Sequence, residues 1–205
     1  MYKCIIFDVD GTLVNSEENI IASFKRIVKE YKNVDMKDEE LFFCLGITSE
    51  KALERMDIEV TKEVLDRWIR YCKELNHLIK PYKDIKAVLS QIKNKGVLTG
   101  VVTSRLIEEF NNDIEPLNLH NDIDIIICAD DTIKHKPHGE PLLAFLNKSG
   151  IKKDDAIYIG DSVYDFKCAK DSGVDFALAL WGAKTKEGIN AKYELKEPKD
   201  ILDLI

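Results

Sequence analysis

Asp8 and Asp10 stand two residues apart in Phe7-Asp8-Val9-Asp10-Gly11-Thr12, directly after an apolar run. In an extended segment, side chains two apart face the same way, so both carboxylates would address one point. One carboxylate can attack phosphorus while the other protonates the leaving oxygen and later deprotonates water. Two carboxylates repel a phosphate dianion, so such a site needs positive charge. Asp161 and Asp165, after Gly160, offer the oxygen ligands that magnesium prefers. Lys136 can balance charge on the phosphoryl oxygens, and the Thr103 hydroxyl can donate to one of them. Gly11 and Gly160 let backbone approach a ligand closely, and Ser104 would stand beside it. Taken singly, each has a plainer reading: an acidic turn, a helix cap and first-turn charge, a solvated lysine. The order Asp-x-Asp, Thr, Lys, Asp-x3-Asp along one chain is what joins them.

These groups follow short apolar runs at Cys4–Phe7, Leu98–Val102, Ile123–Cys128, Ala156–Ile159 and Val174–Leu180. Such runs, mostly rich in β-branched residues, read as central strands of a parallel sheet. Helical patterns lie between them at Asp84–Lys95, Glu140–Lys148 and Tyr164–Asp171, closed by Gly96, Gly150 and Gly173. The alternation implies an α/β fold, a doubly wound parallel sheet whose ligands bind beyond the carboxyl ends of the strands. A short edge strand at Ala191–Tyr193 and a C-terminal helix from Pro198 complete it.

From about Asn15 to Lys80 the periodicity is helical only, with one stripe through Ile20, Ile21, Phe24, Ile27 and Val28 and another through Val64, Leu65, Trp68, Ile69, Cys72 and Leu75. This segment reads as an all-helical lid at 15–81, inserted into an α/β core of 1–14 and 82–205. Pro81 interrupts its last long helix. The Trp68/Tyr71 face reads as packing rather than as a substrate box. Cys44-Leu45-Gly46-Ile47-Thr48 reads equally as an interhelical turn, with Thr48 or Ser49 as the next N-cap, or as a loop facing substrate.

The 205 residues carry a net charge of −7, which disfavours nucleic acid but not a small phosphorylated substrate in a locally basic cleft. No apolar stretch has the length of a membrane span, and the chain opens directly into strand-like sequence without a signal peptide. The five cysteines form no CxxC pair and read as buried free thiols. A cytoplasmic protein, monomeric or weakly dimeric, is expected. His135 and His138 flank Lys136 without nearby Cys or Glu partners and read as loop residues rather than zinc ligands.

The four motifs resemble those of the haloacid dehalogenase superfamily, in its phosphoglycolate phosphatase-like and β-phosphoglucomutase-like branch with a helical cap. Phe7 to Ser16 is similar to the first motif, Thr103 to the second, Lys136-Pro137 to the third, and Gly160 to Asp165 to the fourth. The likeness spans essentially the whole chain and implies a Rossmann-like core. It also implies Asp8 as nucleophile and metal ligand, with Asp10 as general acid/base and backbone metal ligand. Asp161 and Asp165 complete the Mg2+ site by the same resemblance. Asp10 favours phosphate chemistry, because dehalogenases of this superfamily lack the second acid.

Asn15 replaces the usual Asp, Gly139 the second proline of the lysine motif, and Ser104 a frequent Asn. The expected activity is a magnesium-dependent phosphatase acting on a small phosphorylated metabolite. The alternatives are a sugar-phosphate mutase, a pyrophosphatase or nucleotidase, a phosphonate hydrolase using a lid lysine (Lys25, Lys29, Lys32, Lys37 or Lys51), and a non-catalytic protein on the same fold.

Overall fold

The computed structural model describes all 205 residues. Six parallel strands form the central sheet in the order β5-β4-β1-β6-β7-β8. They are β1 (Cys4–Phe7), β4 (Leu98–Val102), β5 (Ile125–Ile127), β6 (Ala156–Gly160), β7 (Asp175–Ala179) and β8 (Tyr193–Leu195). β1 lies at the centre and all four of its residues are buried, which is why it reads as a continuous apolar run rather than an alternating one. Helices α5 (Ile85–Asn94), α6 (Ile107–Asp113), α7 (Glu140–Ser149) and α8 (Val163–Ser172) connect the strands.

Alternate residues of the strands feed two apolar clusters, one on each face. Ile5, Phe7, Val101 and Ile159 join one; Cys4, Ile6, Val102 and Tyr158 join the other. The sheet therefore has both faces covered, as the doubly wound expectation requires. Gly100 in β4 makes room for α7: a Cβ there would lie 2.0 Å from a ring carbon of Phe145. No helix is long and apolar enough to cross a membrane.

Between β1 and α5 the chain forms α1 (Glu17–Lys32), α2 (Asp38–Leu41), α3 (Ser49–Arg55) and α4 (Lys62–Glu74). These helices bury an apolar cluster of their own, running from Ile21 to Cys72 and centred on Phe24, whose ring stacks on Trp68 with centroids 4.5 Å apart. Trp68 donates from Nε1 to Ser23 Oγ, and Tyr71 donates to Glu30, so both serve packing. Thr48 is the N-cap of α3.

Three local expectations differ from what forms. The segment expected to hold no strand begins and ends in one: β2 (Val14–Asn15) pairs antiparallel with β3 (Lys80–Pro81). Two residues are too few to show a period, so this ribbon has no sequence signature. Pro81 sits in β3 rather than breaking a helix, since α4 ends at Glu74 and a 3-10 turn follows at Asn76–Leu78. The last strand starts at Tyr193 rather than Ala191, while the helix expected from Pro198 forms there as a 3-10 helix, Pro198–Leu204. All five cysteines are buried free thiols.

Candidate active site

The carboxyl ends of β1, β4 and β6 place Asp8, Thr103 and Asp161 along one edge of the sheet, and the loop after β5 adds Lys136. Parallel pairing sets this alignment: Phe7 is level with Val101 and with Ile159, so residues just beyond each strand fall side by side. Asp8 N–H donates to Ile159 O at 2.8 Å, extending that ladder to the carboxylate itself.

Lys136 is the centre of one charge cluster. Its Nζ lies 2.7 Å from Asp8 Oδ1 and 2.7 Å from Asp165 Oδ1, with only 1% of the side chain exposed. Asp165 also accepts from Tyr158 Oη at 2.9 Å and from the backbone N–H and hydroxyl of Ser162, the N-cap of α8. Asp165 thus caps α8 and is also a member of the charge cluster. Carboxylate oxygens of Asp8, Asp161 and Asp165 lie within 4.8 Å of one another. Burial, and then the Asp165 charge, push Asp8 up to about 7 despite Lys136. The same two causes raise Asp161 well above the carboxylate range. Three carboxylates share one ammonium, so the cluster lacks positive charge. An all-oxygen donor set with that deficit fits a hard divalent cation such as Mg2+.

Asp10 belongs to a second cluster. Burial alone would raise its carboxyl, but Arg105 holds it below the usual range by pairing through Nε (2.9 Å) and an NH2 nitrogen (2.8 Å). Ser16 donates to the same carboxylate. The remaining Arg105 nitrogen lies 2.6 Å from Asp113 Oδ2, and Glu109 stands one helical turn away. Arg105, Glu109 and Asp113 were absent from the sequence reading. The available signal was spacing: Glu109 and Asp113, four apart, share one face of α6, and Arg105 stands just before its N-cap, Leu106.

Loop geometry accounts for the glycines and for Trp181. Gly11 has φ +76, and a Cβ there would meet the Asp161 carboxylate at 2.2 Å. Trp181 Nε1 donates to Thr12 O at 2.9 Å, pinning the loop that carries Asp10. Thr103 Oγ1 accepts from Arg105 N–H at 3.2 Å, leaving its own proton available. Ser104 Oγ donates to Gly46 O at 3.3 Å, so the Cys44–Thr48 turn does face the site. His135 and His138 stay in the loop after β5, outside the carboxylate cluster. Asn15 is exposed on the rim, and Gly139 packs against the backbone at the end of α8.

Two cavities open on Asp10 beneath the helical insert. One, of about 50 Å³, reaches Asp8, Arg105, Ser49 and Trp68. The other, of about 270 Å³, is lined by Asp161, Tyr164, Leu45 and Lys184.

The model of the haloacid dehalogenase-like hydrolases matches residues 5–179, which include every residue named at both clusters. The chain belongs to the haloacid dehalogenase-like hydrolase family. Its similarity to single members extends over whole chains. A Clostridium perfringens protein provisionally named pyrophosphatase PpaX is 29% identical over 100% of this chain and 98% of its own. Pyrophosphatase PpaX of Halalkalibacterium halodurans is 27% identical over 98% and 95%. A Lactobacillus plantarum crystal structure, assigned provisionally to phosphoglycolate phosphatase, superposes with a TM-score of 0.91 at 26% identity, covering 100% of both chains. As a haloacid dehalogenase-like hydrolase, the chain is an enzyme with the Rossmann-like core expected of the family.

Proposed function

We propose that this hydrolase is a magnesium-dependent phosphatase that acts on a small phosphorylated metabolite, phosphoglycolate-like or a sugar phosphate, through an aspartyl-phosphate on Asp8. One observation carries the reading: two carboxylates, two residues apart, pair with different cations, Asp8 with Lys136 and Asp10 with Arg105, and are pushed opposite ways, Asp8 up by burial and the Asp165 charge and Asp10, against its burial, down by Arg105. Divergent environments are how one site assigns different tasks to like groups.

Asp8 Oδ would attack phosphorus as the bond to the leaving oxygen breaks, and Asp10 would give that oxygen its proton. Asp10 would then take a proton from water, whose oxygen attacks phosphorus and frees Asp8 and inorganic phosphate. The grip of Arg105 favours ionised Asp10, the form needed in the second half. The first half needs the protonated form, so substrate must loosen that grip. Lys136 and the Thr103 hydroxyl would stabilise the phosphoryl oxygens. A divalent cation held by Asp8, Asp161, Asp165 and the Asp10 carbonyl would supply further positive charge there.

Residues 15–81 would act as a cap, hinging at the β2–β3 ribbon to admit substrate and exclude water. The test is phosphate release with magnesium from phosphoglycolate, hexose phosphates, pyrophosphate and nucleotides, wild type beside Asp8→Asn. Turnover that survives in Asp8→Asn would rule out the covalent route. The names of the relatives make pyrophosphate the second substrate to try.

A further inference from the structure

The cavities opening on Asp10 are short of cations. The smaller one contains a single cationic side chain, Arg105, and four carboxylates, Asp8, Asp10, Glu109 and Asp113. Arg105 bridges Asp10 and Asp113, and loosening its grip on Asp10 would still leave it paired with Asp113. The face contributed by the helical insert, which includes Ile20, Cys44, Ile47, Ser49, Trp68 and Cys72, carries no charge at all. Its polar atoms are largely committed: Trp68 Nε1 to Ser23, and Ser49 Oγ to Glu109 at 2.9 Å. The larger cavity also has one cation, Lys184, which is paired with Glu17 and faces Asp10 and Asp161 as well. Lys51 lies close by, yet its Nζ turns to the Lys136 carbonyl at 3.2 Å.

A phosphoryl group has Lys136 and the carboxylate cluster's cation site to receive it. The leaving group has neither. A second anionic group on the substrate would be desolvated beside carboxylates with no free cation to meet it. Hydroxyl groups would be welcome, because the carboxylates of Asp10, Glu109 and Asp113 are acceptors. We propose, resting on the phosphatase reading above, that the substrate is a phosphate monoester whose leaving group is a small, uncharged, hydroxyl-bearing alcohol. The charge balance at the cavity selects against a carboxylate or second phosphate there. A volume of about 50 Å³ holds only a few heavy atoms.

The experiment compares 2-hydroxyethyl phosphate with phosphoglycolate, which differ by CH2OH against carboxylate, and with pyrophosphate, on the wild-type enzyme with magnesium. The expected kcat/KM for 2-hydroxyethyl phosphate exceeds both others by at least about tenfold, a modest share of the roughly thousandfold that one unpaired like charge at about 4 Å would cost at an effective dielectric constant of about 20. Glu109→Gln, which keeps shape and hydrogen bonding, should narrow the gap to phosphoglycolate several-fold. Equal or better turnover of phosphoglycolate or pyrophosphate by wild type overturns the proposal, whatever the variant does. No phosphate from any of the three, nor from p-nitrophenyl phosphate, removes the phosphatase reading and this proposal with it. That silence is distinct from hydrolysis with the wrong preference.

Discussion

Replacing Lys136 by Met tests the charge accounting at the centre of the site. The ammonium sits 2.7 Å from each of two carboxylates that are themselves almost wholly buried. Removing one partner from a buried ion pair costs about 3–5 kcal/mol, because the other charge stays behind without water or counterion. For a chain of 205 residues, at about 2–4 °C per kcal/mol, the melting temperature should fall by about 10 °C. The assay is thermal unfolding in chelator at pH 8 and at pH 5.5. Asp8, pushed up to about 7 even beside Lys136, takes a proton as the pH falls through that value. Protonation removes the charge that the lysine was balancing, so the deficit of Lys136→Met should shrink markedly at pH 5.5. Magnesium at pH 8 should raise the melting temperature of the variant more than that of wild type. A variant melting within about 2 °C of wild type at pH 8 would refute the reasoning, since a buried pair of this kind cannot be removed so cheaply.

Asp10→Asn should keep metal-dependent stabilisation, since the backbone carbonyl stays, but lose about 10²–10⁴ of the phosphatase rate, measured as phosphate release, because the proton transfer is removed. In chelator, wild-type stability should decline as pH rises from about 4 to about 7, read from urea midpoints. Asp8 binds its proton more tightly folded than unfolded, so the folded state holds more protons in that window and deprotonation weakens it. Saturating magnesium should flatten this slope. Gly100→Ala should destabilise by about 1–3 kcal/mol through overpacking against Phe145, with unchanged kcat per folded molecule at low temperature.

The sheet was legible because its core strands are apolar runs, and β1, β4 and β6 are followed at once by a residue that could do chemistry, Asp8, Thr103 and Asp161. Strand ends shifted by a residue or two, as at Ile125–Ile127, where flanking apolar residues pack without pairing. The residues that meet at the candidate site were legible for a related reason. Asp8 and Asp161 directly follow strands, Asp10 and Lys136 lie in the loops beyond, and Asp165 is in the first turn of α8, so order along the chain translates into proximity. Arg105 was not, because its meaning lies in what it faces: a carboxylate 95 positions earlier and another on the next helix. Tyr158 escaped similarly, since an aromatic inside an apolar strand gives no hint that its hydroxyl reaches Asp165. The helical insert showed its two stripes but not the ribbon that ties its ends together.

That ribbon makes the insert separable in a chain-statistical sense. Val14 pairs with Pro81 and Asn15 with Lys80, so the chain re-enters the sheet domain beside the point where it left. Closing a longer excursion between fixed ends costs only a logarithmic increment of entropy. The sheet is therefore nearly indifferent to what fills the gap. Descent could exchange, enlarge or prune the excursion while the carboxylates at the strand ends stayed in register, letting the choice of substrate change without rebuilding the machinery beneath it.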